Sequence, residues 1–437
     1  MNDTPKLLIY VSAVTPRINY TFRQICTYIL GLDIKFTSKI EEFIAHDGVK
    51  ISYGKQKLGS EFFIQSSGLL NEQGFSDIEV RVGKWGDVVC FFRTSKDSDI
   101  PFDIFAASFY MLSRYEEYLP HVKDEHGRFP SKESLAYKKD FITRPVVDIW
   151  AHKFKNILKE RFDNLEFPEK QYSNRNILAV AEAYKYKKKG IVRSIGASIR
   201  DLFTFDISQF LERIEVLLYL KKDPYDIYED LIKFSKQNNL YWYFLFQLSN
   251  YSVNSKNISY NKIKYHALIK SMGDYGKIGL LPGYEALSSF KTLKLEKNRW
   301  ESIVNRPLEV CLSYFFDINL PNLYNNFDKL EIKEDHSMAF VDLPGFRAGT
   351  CRPFLFYDIN FERISPLVIY PPAFNSFSFC NFSFFEVKTR LQQIKEEVKQ
   401  VGGILSVVFQ NSDFDGEQQK EKTLELINIL NDHGEGY

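Results

Sequence analysis

Apolar positions along the chain follow two successive patterns. Up to about residue 162 the elements are mixed. Residues 6–11 predict a first β-strand, and 20–30 carry Phe22, Ile25 and Ile29 at helical spacing. Ile78, Val80 and Val82 alternate with charged residues, as in a half-buried strand, and 88–92 predict another. Residues 102–119 predict an amphipathic helix, with Phe102, Phe105, Phe109, Leu112 and Tyr115 on one stripe. A second helix is predicted over 146–162. The polar stretch 163–175, which contains Pro168, is the candidate linker.

Beyond it, strand and helix alternate. Strands are predicted at 177–180, 241–248, 278–281, 309–314, 339–341 and 404–409. Helices are predicted at 201–220, 224–238, 262–275, 321–330 and 385–401. Such alternation implies βαβ units and a mostly parallel sheet or barrel. The expected class is therefore α/β, with an N-terminal α/β domain over 1–170 and a second domain over 171–437.

Composition narrows the function classes. A formal charge of +1 gives no reason to expect nucleic acid as a partner. The one basic run, Lys185 to Lys189, reads as a solvated loop, with a phosphate or acidic sugar as the alternative. Five cysteines, Cys26, Cys90, Cys311, Cys351 and Cys380, lack metal-site spacing and read as buried reduced thiols. No run approaches the ~20 apolar residues of a membrane helix. A cytoplasmic protein without a membrane segment is the expectation.

The strand at 177–180 raises the chemical question. An α/β barrel places its chemistry where parallel strands end. There this chain has Ala179 and Ala181, which neither bind a metal nor move a proton.

Three stretches carry a resemblance. They are PFDIFAASFYMLSRYEEYLP over 101–120, HGRFPSKESLAY over 126–137, and PGFRAGTCRPFLFYD over 344–358. Together they resemble two-domain polysaccharide deacetylase-like proteins common in Bacteroidetes, in which an uncharacterised N-terminal domain precedes a distorted (β/α) barrel of the carbohydrate esterase family 4 type. The resemblance implies a metal held by one aspartate and two histidines, a second aspartate as base, and a late histidine as acid. The metal polarises an acetyl carbonyl and lowers the pKa of its water.

Matched to that pattern, the two acidic positions fall on Ala179 and Ala181, while Ala183 and Tyr184 are kept. The first histidine falls on Leu281 within GLLPGY, and the second on Tyr314, ahead of Leu320-Pro321. A Trp-His-Asn segment reads Phe409-Gln410-Asn411, and the acid after Tyr370-Pro371 becomes Ser376. Alanine and leucine offer no donor atom to a metal. The resemblance therefore implies a pseudoenzyme without cofactor, which binds a carbohydrate, a nucleotide-sugar or a protein partner in surface-polysaccharide metabolism. Arg347 stands where the family orients its base, with Glu182 or Asp358 as its expected counter-ion; a ligand anion is the alternative. Glu182, Tyr184, Tyr284, Arg347 and Asp358 are the candidate ligand contacts, and Tyr314 and Tyr357 add to an aromatic lining. Two rivals remain. One is an active metal-dependent deacetylase with relocated ligands such as His121, His126, Glu182 and Asp358. The other is a structural subunit.

Overall fold

The structure, a computed structural model, describes residues 7–187, 207–380 and 382–431. Its first sheet contains β1 (Leu7–Val11), β2 (Ile34–Thr37), β3 (Lys50–Gly54) and β4 (Phe62–Gln65), in the order β2-β1-β3-β4. All three pairings are parallel. Parallel strands are covered on both faces. Accordingly Leu7, Ile9, Ile51 and Ile64 are fully buried. A hairpin of β5 (Val82–Trp85) and β6 (Val88–Phe91) lies apart from this sheet. The expected strand thus starts at Val82 and leaves out Ile78 and Val80.

The helix expected over 102–119 differs in kind. It runs only from Ile104 to Leu112, and every one of its residues is buried. A helix apolar on all sides belongs inside a protein, not on its surface. It stops where Arg114 takes a left-handed conformation (φ 55°), after which Tyr115–Tyr118 forms one further turn. The helix Val146–Arg161 follows as expected.

The second sheet has nine strands: β7 (Ser173–Val180), β8 (Trp242–Phe246), β9 (Gly276–Leu280), β10 (Val310–Cys311), β11 (Glu334–Asp335), β12 (Phe354–Asp358), β13 (Arg363–Ile369), β14 (Pro372–Asn375) and β15 (Ile404–Gln410). Their order is β12-β13-β11-β10-β9-β8-β7-β15-β14. All pairs are parallel except β12 with β13. β13 and β14 form a single extended run broken only at Tyr370-Pro371. Its first half pairs with β11 and its second with β15. One run therefore borders both ends of the parallel ladder, and the sheet curls round on itself.

Side-chain alternation separates inside from outside. Ile177 and Ala179 of β7, Leu245 of β8, Val310 of β10 and Val408 of β15 share one small apolar cluster. Their neighbours Leu178, Val180, Phe244, Phe246, Cys311, Val407 and Phe409 belong to the larger core shared with the covering helices.

Other expectations shift. The strand expected at 339–341 lies instead at Glu334–Asp335, since Ala339–Val341 has no strand pairing. Two acidic residues hid it, and both have partners: Lys277 for Glu334, Tyr324 and Ser337 for Asp335. Helices Phe290–Val304 and Glu417–Asn431 were not expected. Of the helix expected at 201–220, Ile207–Leu217 is present and its first six residues lie outside the described ones. The segment around Pro168 packs closely, since a Cβ on Gly31 would meet Pro168 Cγ at 2.3 Å.

Candidate functional site

The strands of the curled sheet end on one side, and there the sequence positions singled out above meet. Ala179, next to the end of β7, is only 6% exposed and in register with Gln410 at the end of β15. Leu281 follows β9, and Tyr314 follows β10. Ala179, Leu281, Ala181 and Tyr314 all belong to the interior apolar cluster, along with Leu312, Phe316 and Ala339. Positions from three segments distant in sequence are thus neighbours in space.

The cluster lies above a polar layer. Counting back along β7 from Ala179 by twos reaches Ile177 and then Arg175. The Arg175 guanidinium stacks 3.8 Å from the Tyr370 ring and 4.5 Å from the Tyr243 ring. His336 stacks on Tyr370 with ring centroids 5.3 Å apart, and burial pushes its imidazole down to about 4. Burial works against the Glu334 carboxylate, yet His336 and Lys277, whose Nζ is 2.6 Å away, hold it at about 2. The interior is therefore filled, polar below and apolar towards the strand ends.

The rim above the apolar cluster is polar. Burial raises the Tyr314 phenol to about 12, and the nearby carboxylates of Glu182 and Glu285 add to the effect. The next two residues, Phe315 and Phe316, both have positive φ (52° and 54°), a strained arrangement for residues with side chains. Phe315 packs between Tyr314 and Phe377, with ring centroids at 4.1 and 4.9 Å. Gln410 Nε2 donates to Ser376 Oγ at 3.0 Å, and its backbone N–H donates to Asp413 Oδ2 at 2.8 Å. Burial lifts Asp413 to about 7 despite the bonds from Gln410 and Ser376. Sequence reasoning missed Asp413. Its only signal is its place three residues after Gln410, where it caps the turn after β15.

The positions matched to the metal ligands of the resembling family carry other side chains. Ala179, Ala181 and Leu281 end in carbon, and Tyr314 is a phenol held above its ordinary pKa. Among the described residues, no group of three or more His, Cys, Asp or Glu is arranged to hold an ion. The relocated set does not converge either. His121 Nδ1 lies 2.8 Å from the Leu119 carbonyl, and His126 lies 3.5 Å from Glu125.

Three candidate contacts lie elsewhere than expected. Arg347 is 2% exposed, and its partner is neither Glu182 nor Asp358. Nε and Nη2 donate to the two oxygens of Glu117 at 2.8 and 2.7 Å, and Nη1 donates to the Ala339 carbonyl. Glu117 also accepts from Arg114 Nε, and Arg114 Nη2 donates to Glu116. Against burial, the two arginines hold Glu117 at about 2. Geometry explains the surprise: Glu117 lies on the turn after the buried helix, far from Arg347 in sequence. Asp358 is fully buried at the end of β12, where it accepts from Asn325 and the backbone of Asn360, away from the strand ends. Tyr184 is buried against Tyr228 in the outer core, so its ring does not line the rim. Tyr284 is half-buried at the start of a helix beside the Leu281 loop. The Tyr357 hydroxyl donates to Glu362, which also binds Arg17.

The three resembling stretches therefore meet in space. Arg347 binds Glu117, the Leu135 N–H donates to Glu116 at 2.7 Å, and Thr350 Oγ1 and the Cys351 N–H donate to Asp148 at 2.8 and 3.0 Å. Ser131 Oγ donates to Asp342 at 2.5 Å. Gly345 (φ 147°) passes so close to Ile142 that a Cβ would sit 2.5 Å from its carbonyl oxygen. Lys185, from the basic run, is paired with Glu212 and Asp415; Lys188 and Lys189 lie outside the described residues. Four cysteines are buried, and Cys380 is exposed. No helix among the described residues is long and apolar enough to cross a membrane.

A model for a family of unknown function (DUF7033) matches residues 7–163. No curated protein matches. Among solved structures, the chain is similar to the "putative polysaccharide deacetylase" of Mycobacterium smegmatis. Identity is 11% over 61% of this chain and 86% of that one, with a TM-score of 0.40. At that score the likeness carries no weight for fold or function.

Proposed function

We propose that residues 171–437 form a polysaccharide deacetylase-type barrel that has lost metal-dependent hydrolysis and acts by binding. Its ligand is a carbohydrate, a nucleotide-sugar or a partner protein, held at the rim of Glu182, Tyr284, Glu285, Tyr314 and Gln410. Residues 1–170 form a separate domain joined to it through the Glu117–Arg347 network. One observation carries this reading: the positions that hold metal and base in the resembling family converge here, and their side chains are Ala179, Ala181, Leu281 and Tyr314. A slipped match would scatter them. The counter-ion of Arg347 points the same way. In the family this arginine serves the base; here Glu117 satisfies it from outside the strand ends. A buried charge that has lost its partner is costly, so a replacement carboxylate fits a site retired from catalysis.

The test is acetate release from chitooligosaccharides, run beside thermal-shift titration with the same sugars and with nucleotide sugars. The proposal expects no release with or without added zinc, and stabilisation by a ligand that Tyr314→Ala reduces. Chelator-sensitive release of acetate would end it. A ligand shift untouched by Tyr314→Ala would move binding away from this rim.

A further inference from the structure

The first sheet has its own site-like geometry at its own strand ends. From β1 the chain moves to β2 on one side, then crosses back over β1 to place β3 on the other. The direction of winding therefore reverses between β1 and β3. In open parallel sheets, the two loops leaving such a pair of strands turn opposite ways and leave a crevice between them, which is where ligands bind. A cavity of about 620 Å³ occupies this place. That falls within the range of roughly 300–1,000 Å³ typical of small-molecule sites.

Its walls come from three strand ends: Tyr10, Val11 and Ser12 at the end of β1; Tyr53, Gly54, Lys55, Gln56 and Leu58 at the end of β3; and Ser66, Gly68, Asn71 and Glu72 after β4. The floor is fixed and apolar. Val11 and Ile18 are buried, and the Tyr53 ring is pinned because its hydroxyl donates to the buried Asp103 at 2.9 Å. The rim is polar and open, with the hydroxyls of Ser12 and Ser66 and the amides of Gln56 and Asn71. Its two charges, Lys55 and Glu72, are opposite in sign. Leu58, 41% exposed, leaves an apolar side chain at the edge.

This lining selects a class of ligand. A phosphate-bearing ligand calls for an excess of positive charge, and Lys55 is balanced by Glu72. Several neutral donors and acceptors around an aromatic and aliphatic floor match a ring that carries hydroxyls on its edge and C–H groups on its face. We infer that the crevice between β1 and β3 is a binding site for a neutral, hydroxyl-rich small molecule of one or two sugar rings. It is distinct from the rim of the second sheet.

Gly54 supplies a clean test. It closes β3 at the cavity, and a Cβ placed on it would meet nothing within 4 Å. Gly54→Phe should fill the crevice without disturbing the core. Saturation-transfer NMR and calorimetry on the full chain would use cellobiose, N,N′-diacetylchitobiose, uridine and pyrophosphate as probes. The inference expects a disaccharide to bind the Tyr314→Ala chain, in which the rim of the second sheet no longer contributes, and Gly54→Phe added to that chain to weaken the binding at least tenfold at unchanged melting temperature. Binding that survives Gly54→Phe would overturn it. So would capture of pyrophosphate or uridine with both disaccharides silent, or no binding of any probe.

Discussion

The two larger sheets of the described residues are mostly parallel, and their strand ends have opposite characters. At the first, loops part around an open crevice with a polar rim. At the second, Ala179, Leu281, Leu312 and Ala339 close the interior with carbon, between a buried polar layer below and the polar rim above. Parallel topology brings strand ends and their loops together whatever the side chains are. What the edge can do is then decided residue by residue. On the proposed reading, the edge of the second sheet keeps the positions of a metal site without its chemistry, and the edge of the first sheet offers the separate binding site inferred above.

The largest expected effect comes from the link between these regions. Glu117→Ala would leave Arg114 and Arg347 buried without their shared carboxylate. Urea denaturation should show a loss of about 3–5 kcal/mol. A loss under about 1 kcal/mol would mean that the network does not join the two sheets. Next, one kind of substitution can be placed at both edges. Ala179→Asp puts a carboxyl into the closed apolar cluster and should destabilise by roughly 2–4 kcal/mol. The penalty should be smaller at pH 5 than at pH 8, because a buried carboxyl can hold its proton at the lower pH. Ser12→Asp, on the open rim of the first sheet, should cost within about 0.5 kcal/mol. Equal penalties would erase the distinction between the edges.

A smaller effect concerns pH. Asp413 keeps its proton up to about pH 7 in the folded chain, whereas an unfolded aspartate releases it near ~3.9. Its contribution to stability is therefore fully present below pH ~4 and lost as pH rises to about 7. Glu296 and Asp335 titrate in the same direction, and His336 in the opposite one. The comparison with Asp413→Asn isolates the single group. The variant should gain on the order of 2 kcal/mol over wild type at pH 8 and nothing at pH 4. Parallel stability curves would place Asp413 in contact with solvent.

Much of the second sheet was legible in sequence. Strands β7, β8, β9 and β15 are short apolar runs, as strands covered on both faces must be. β11 was hidden because Glu334 and Asp335 are acidic, and only tertiary partners make them tolerable inside. The break at Arg114 was missed for a related reason: an apolar stripe says nothing about a buried ion pair that turns the chain. Ala179, Ala181, Leu281 and Tyr314 could be grouped in advance because local motifs flank each of them. The Arg347 partner could not, since Glu117 lies 230 residues away. Nor could the crevice of the first sheet. Ser12, Gly54 and Ser66 belong to three different strand ends, and only the pairing order of β1, β3 and β4 brings them together.

Metal binding tests the central claim most directly. Calorimetric titration of the full chain with zinc at pH 7.5, followed by elemental analysis after dialysis, would measure it. The account predicts no stoichiometric zinc, because the converging side chains supply no ligand set. One tightly held equivalent per chain, lost on Tyr314→Ala or Glu182→Ala, would contradict it.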